Sequence, residues 1–422
     1  MKLSLLFREN SGQIETIKQP KQGAKSCLLV LILGIWWGLF SVYSASAQTI
    51  ILSPQTKVSL VTVSPGEELY SGFGHSAFWI SDPVYGIDRV YNYGTFDFRT
   101  EGFYVKFVRG QLPYMLSVSP IYNTLAGAQY EDRSVFEDEL NLTQSQKQRL
   151  YELLEINLLP ENKFYRYDFL FDNCSTRLRD MLVKAVGDSV QFSSKSKNMT
   201  YRDWIQYYMN QKPFIKTGMD ILLGTPTDKQ ATAFDEMFLP DNLREEFREA
   251  KIRQGATEVP LVTRDTVLFQ EEKPIGHDVD YTVLIISFVL LLAGIFQTRS
   301  QLLRNQISFR TDRILFFIAG LFGCLMAFLW FGTDHAVTQK NWNLLWAIPF
   351  HVVVVFLLRK SSPAWVRTYF AVSAVLAAIA LVFSAVTIFQ EFNIEFAPVI
   401  ALLALRAWAI QRQLALSHAK RS

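Results

Sequence analysis

Five apolar segments crowd the last third of this chain, at 281–297, 314–332, 344–358, 369–390 and 396–410. The second and fourth are long enough to cross a ~30 Å hydrocarbon core as helices. The third and fifth are short, and Arg406 falls near the end of the fifth, so either is open to a re-entrant reading. Charge placement gives the orientation. With residue 280 outside, ten basic residues fall inside: Arg299, Arg304, Arg310 and Arg313 in one loop, Arg359, Lys360 and Arg367 in the next, and Arg412, Lys420 and Arg421 in the tail at 411–422. The outside loops at 333–343 and 391–395 hold Lys340 alone. This bias follows the positive-inside rule and predicts a membrane region of about five helices over 281–410.

A second concentration of apolar residues lies before residue 48. Lys2, Arg8, Lys18, Lys21 and Lys25 precede an apolar run from 27 to 42, and Ser44-Ala45-Ser46-Ala47 follows. That pattern predicts a signal peptide over 1–47, cleaved after Ala47. The basic region is long, which keeps an uncleaved anchor as the alternative. Cys27 would leave with the signal. Only 19% of the 422 residues are charged and the net charge is +3, which excludes a disordered chain and gives no nucleic-acid footprint.

Residues 48–280 then form an exported domain. Short β-rich runs at 58–63, 75–80, 89–93 and 115–119 are separated by Pro65-Gly66, Asp82-Pro83, Gly94 and Pro120. Thr143 with Gln146 forms a capping box that opens a helix to about Asn157. A second helix starts near Asn173–Ser175, with Leu178, Met181, Leu182 and Ala185 on one face. Residues 203–210 and 243–253 also read as helical. The expectation is an α+β domain, with a small mostly antiparallel sheet and helices packed to one side, followed by an all-α transmembrane bundle.

Two cysteines remain after the signal, Cys174 in the exported domain and Cys324 inside the second apolar segment. A lone thiol in an oxidising compartment reads as reactive or intermolecularly paired. A buried inert thiol is the competing reading. Asp172 and Asn173 offer caps, which would place Cys174 in the first turn of a helix, where the dipole favours a thiolate. The domain lacks the further nitrogen and sulfur ligands that structural zinc needs, and no metal or cofactor is implied.

His75 is the only histidine between residues 48 and 276. It follows Gly72-Phe73-Gly74 and opens a strand, where it could be a hydrogen-bonded strand-end residue or the base for the thiol. A third polar group would orient the imidazole. Asn92, on the next strand, is the candidate, and Asp97 competes with it. An outer loop at Asp334-His335, continuing to Trp342 and Trp346, would lie at the membrane surface as an aromatic belt or as one wall of a lipid-facing site. His351 falls within the third apolar segment, where an ionisable residue is a functional suspect. His277 reads as juxtamembrane and solvated.

Three segments carry a resemblance together: the run from Ser64 to Ala77 with Gly72-Phe73-Gly74-His75, the run from Tyr167 to Asp180 with Asp172-Asn173-Cys174-Ser175-Thr176-Arg177, and the outer loop from Asp334 to Trp346. They resemble the lipoprotein N-acyltransferase family of the Bacteroidota, the Lnb type, in which an exported thiol domain is fused to a helical membrane region. The order of histidine before Asn-Cys is also similar to the permuted papain-like fold of lecithin–retinol acyltransferases. The resemblance implies Cys174 as acyl-carrying nucleophile and His75 as its base. Asn92 is the third polar residue only by position on the neighbouring strand.

It also implies an inner-membrane, multi-pass enzyme with its catalytic domain on the periplasmic side. That enzyme would take an acyl chain from a phospholipid, hold it as a cysteine thioester, and pass it to the α-amine of a diacylglyceryl-modified lipoprotein. Asn173, Asp334 and His335 are the candidate substrate contacts. The alternatives are a membrane-anchored papain-like peptidase or amidase acting on cell-wall peptides, and a non-enzymatic surface receptor with an inert thiol.

Overall fold

The computed structural model describes residues 50–304, 308–386 and 389–419, and from Ile51 onward the chain belongs to one compact unit. The expected signal at 1–47, Cys27, Lys420 and Arg421 lie outside the described residues. Alternation in Lys57–Val63 builds β1, in which Val58 and Leu60 enter one core while Val61 and Val63 enter another. In chain order β2 (His75–Asp82), β3 (Ile87–Thr95), α1 (Phe103–Val108), β4 (Pro113–Ser119), α2 (Ile121–Tyr130), β5 (Val135–Leu140), α3 (Gln144–Leu158), β6 (Phe164–Arg166) and α4 (Cys174–Val186) follow. The domain continues through β7 (Val190–Gln191), α5 (Tyr201–Met209), α6 (Pro213–Leu222), α7 (Ala233–Glu236), α8 (Pro240–Glu249), β8 (Lys251–Gln254), β9 (Thr257–Pro260) and β10 (Val262–Phe269).

Seven strands form one sheet in the order β10-β5-β1-β2-β3-β4-β6, and every neighbouring pair is antiparallel. The main core lies between this sheet and α3, α4 and α8, where Leu60, Phe78 and Tyr91 meet Leu150, Leu178, Leu182 and Phe247. Helices on a single side were expected, but α2 covers the opposite face. Its Ala128, Ile121 and Leu125 pack on Val61, Val63 and Val135. The capping box of α3 forms as its sequence predicts, with Thr143 accepting from the Gln146 amide and Gln146 accepting in return.

The membrane region holds α9 (Thr282–Leu303), α10 (Arg310–Phe331), α11 (His351–Val354), α12 (Ala364–Val386) and α13 (Ala397–Ala419). Among the described residues four helices are long and apolar enough to cross a membrane. The fifth segment, expected short, continues as a long helix. Arg406 lies buried in its middle, bonded to Asp312, Thr298 and Gln301.

The third segment, short and open to a re-entrant reading, is not a continuous helix. Residues 344–358 form 3₁₀ turns around the single α-turn of α11, because Pro349 cannot donate to a helical ladder and disfavours helical geometry at Ile348. The broken segment nevertheless runs the length of α10. It starts where Asn341 and Asn343 donate to the Ile221 carbonyl, and packs its middle on Gly320 and Gly323. At its far end the Leu358 carbonyl accepts from Arg313.

Polar side chains join the two regions. Lys216 of α6 donates to Glu395 at 2.6 Å, and Asn393 donates to Asp220 at 2.7 Å. Arg202, fully buried, lies between Asp220 and Asp228.

Candidate active site

The segment before α4 is folded by its own polar residues. Asp168 and Asp172 exchange backbone hydrogen bonds, and the Asp168 carboxylate accepts from the amides of Leu170 and Phe171. Asp172 holds Arg177 in a bidentate pair at 2.6 and 2.7 Å, and the guanidinium lies over the Tyr165 ring. Asn173 then caps α4. Its Oδ1 accepts from the Thr176 amide, its Nδ2 donates to the Phe169 and Phe238 carbonyls, and the residue is buried. Asn173 was expected to contact substrate. In this structure the cap and these two carbonyls use its side-chain atoms. What Asn173 does is fix Cys174 as the first residue of the helix, against the N-terminal end of the dipole.

His75 arrives from the sheet. Gly74 has φ +80°, and a Cβ there would stand 2.8 Å from the Val63 carbonyl oxygen, so only glycine lets the chain enter β2 this tightly. The entry sets His75 opposite Val63 on β1. Packing of α4 on β2 then brings the thiol and the imidazole close enough for each to shift the titration of the other.

The other side of the imidazole meets Asn92. His75 Nε2 lies 3.2 Å from Asn92 Oδ1, while Asn92 Nδ2 donates to Val90 O and faces Ser119 Oγ. That arrangement orients Oδ1 toward the ring, so Nε2 carries the proton and Nδ1 is left for the thiol. Asp97, the competing third residue, is instead held by Arg99 through its backbone amide and guanidinium.

The electrostatics of the pair are mutual. Burial opposes both charged forms. Against it, the His75 charge and its hydrogen bond, with the Ser76 amide and the Ser175 hydroxyl, hold the Cys174 thiol below its usual pKa. Burial likewise opposes the imidazolium, yet the Cys174 thiolate and the bonds to Cys174 and Asn92 hold His75 above its usual pKa. Both shifts run toward the charged forms, and a thiolate is the form in which sulfur is nucleophilic.

Tyr165 and Tyr167 border it. Burial, with the nearby Cys174 charge next in weight, pushes both phenols up, so they stay protonated. Neither tyrosine was singled out from the sequence, although Tyr167 opens the segment that carries the thiol.

The outer loop lies on the exported domain. The Asp334 amide donates to Arg109 O, its carboxylate accepts from Gln111 and Arg166, and His335 Nε2 lies 3.2 Å from Val108 O. Both residues thus meet the α1–β4 turn and β6, one residue before Tyr167, and they do not touch the dyad directly. Trp346 is buried and donates to Asn343, while Trp342 is partly exposed and stacks on Phe389. His351 is buried among Phe316, Phe370 and Tyr369, with its Nδ1 2.7 Å from the Tyr369 hydroxyl. His277 stacks on Tyr207 at 4.1 Å rather than standing free in solvent. Cys324 is exposed on α10 and far along the chain from the thiol pair.

Two family models match the chain. The Lnb N-terminal periplasmic domain matches residues 46–207, which include His75, Asn92 and Cys174. The Lnb transmembrane domain matches residues 278–415. No curated protein and no solved structure matches.

Proposed function

The chain belongs to the Lnb-type lipoprotein N-acyltransferase family, and from that premise we propose that it transfers an acyl chain from a membrane phospholipid to a lipoprotein amine through a thioester on Cys174. It is a membrane protein with a periplasmic N-terminal domain. We place it in the inner membrane, where the outer leaflet presents both substrates to that domain.

In the first half-reaction the Cys174 thiolate attacks the ester carbonyl of the phospholipid. The carbon–oxygen bond breaks, and the imidazolium of His75 gives its proton to the departing lysophospholipid oxygen. In the second, the α-amine of a diacylglyceryl-modified cysteine attacks the thioester. His75 accepts the amine proton, the carbon–sulfur bond breaks, and the thiolate returns. Asn92 acts as a positioning residue that holds the ring in the productive tautomer. The Ser76 amide, which supports the thiolate, is placed to help stabilise the tetrahedral oxyanion. Asp334 and His335 brace one wall of the substrate entrance.

The observation that carries this reading is the packing of Cys174, first residue of a helix, beside the strand that opens with His75, in a domain tied to membrane helices. Tethering both substrates to one surface raises their effective concentration. Burial of the thioester protects it from water. The test is the N-terminal lipopeptide of a reporter lipoprotein, made in cells that depend on this enzyme for N-acylation. The wild-type chain should yield the N-acylated form and Cys174→Ala the free amine. Full N-acylation with Cys174→Ala would end the proposal.

A further inference from the structure

Between β3 and β4 the chain makes an excursion that the sheet does not require. Phe98 there is 70% exposed, and α1 turns Tyr104, Val105 and Phe107 outward at 78%, 64% and 52% exposure. None of the six residues of α1 is buried. An apolar knuckle of this kind is costly in water and marks a surface with a partner.

Its place identifies the partner. The last residues of α1 bond the loop that leaves the span α10, through Asp334 N–H to Arg109 O and His335 to Val108 O. The loop begins just after Phe331, the end of that span. The knuckle is therefore continuous with a helix end that lies at the outer membrane surface. Lys106 and Arg109 close the knuckle with cations suited to lipid phosphates.

A row of rings leads inward from it. Phe98 and Phe103 lie 4.9 Å apart by centroid, Phe96 is 5.1 Å from Phe98 and 5.5 Å from Tyr114, and Tyr114 stacks on Tyr167 at 4.6 Å. The row ends beside Gly94 and Cys174. A Cβ placed on Gly94 would stand 3.5 Å from Tyr167 Cε2 and 3.9 Å from Cys174 Cβ, and its φ of +88° admits glycine most readily.

We propose that residues 96–107 dip into the outer leaflet as an apolar ramp, and that the aromatic row from Phe98 to Tyr167 guides the acyl chain of a membrane phospholipid to Cys174. This rests on the acyl-transfer reading above and adds the route by which the donor arrives. The ramp gives the chain a dry path from bilayer to sulfur, so the ester carbonyl reaches the thiolate while the headgroup stays at the surface.

Two measurements test it, on the full-length protein in nanodiscs. The first uses Cys174→Ala, which cannot turn over, with a phosphatidylethanolamine carrying a diazirine in its acyl chain. Photolabelling of peptides spanning 96–114 is the expected result. Label confined to the helices of 282–417 would overturn the ramp.

The second compares Phe98→Asp with wild type in the rate of thioester formation. With a long-chain phospholipid the variant should be slower by about tenfold or more, as a charge at bilayer depth is unfavourable. With dihexanoyl phosphatidylcholine below its micellar concentration the two should agree within about twofold. Equal slowing with both donors, or no slowing, would overturn the ramp. A wild-type chain that forms no thioester with either donor, yet is labelled at 96–114, would leave the ramp standing as a lipid site and remove the acyl-transfer reading. The reverse pattern would remove the ramp alone.

Discussion

Two buried charge pairs in this molecule do opposite work. Where α4 packs on β2, Cys174 and His75 each shift the other's titration, and on the proposed mechanism a proton passes between them and the substrate. At the joint with the membrane region, Lys216 and Glu395 are 7% and 5% exposed, and Arg202 is locked between Asp220 and Asp228. Those charges are surrounded by additional donors and acceptors: Asn210 and Thr217 for the first pair, Gln206 and Asn393 around Asp220. A guanidinium does not deprotonate in proteins, so the Arg202 cluster stays charged and rigid. On the proposed mechanism the first site changes its protonation state, while the second resists change. The proposed chemistry needs a reactive sulfur, and the joint ties the domain that carries it to the membrane helices.

The strongest way to break the comparison is at the dyad. Cys174→Ala and His75→Ala should each lower transfer by roughly 10⁴-fold or more, and the double variant should be no worse, because the two act as one unit. Additive losses in single-turnover rates would show two independent roles.

The joint comes next. Lys216→Met should destabilise the protein by about 3–5 kcal/mol, since it leaves the Glu395 carboxylate buried without its cation. Lys216→Met with Glu395→Leu should recover much of that, read as thermal unfolding in detergent. A silent Lys216→Met would mean that the pair does not hold the two regions together.

Asn92→Ala should cost about tenfold, below the roughly 10²–10⁴-fold of a whole acid–base group. It should also act on pH. The active form exists above the lowered Cys174 pKa and below the raised His75 pKa, so activity falls with acid as the thiolate is protonated and with base as the imidazolium is lost. Asn92 supports the imidazolium, so its loss should pull in the alkaline limb and leave the acid limb nearly unmoved. A pH–rate profile unchanged in shape would contradict the positioning role.

The smallest effect belongs to the loop. The Asp334–Arg166 bridge is largely exposed, at 44% and 73%, and such pairs are worth about 0–1 kcal/mol. Asp334→Ala and His335→Ala should therefore slow transfer by only a few-fold. Wild-type rates in the double variant would reduce the loop to a connector.

Much of this was legible in the sequence, because the signals were local. Asn173 and Thr176 announce the cap that places Cys174, and Gly74 announces the tight entry that places His75. Asn92 could be guessed from its place on the next strand. What escaped was set by long-range packing. β5 reads Val135-Phe136-Glu137-Asp138-Glu139-Leu140, too acidic for a central strand until Arg244 is seen to meet Asp138. The form of the broken crossing near Pro349 stayed open between a short span and a re-entrant segment, because hydropathy is blind to the missing amide.

The central claim is tested most directly by intact mass of the full-length chain after brief incubation with phosphatidylethanolamine and no lipoprotein. The account predicts a gain of one acyl chain that maps to Cys174, is released by hydroxylamine, is discharged by a diacylglyceryl lipopeptide with a free amine, and is absent from Cys174→Ala. A preparation that N-acylates the lipopeptide with no acyl group ever found on Cys174 would contradict it.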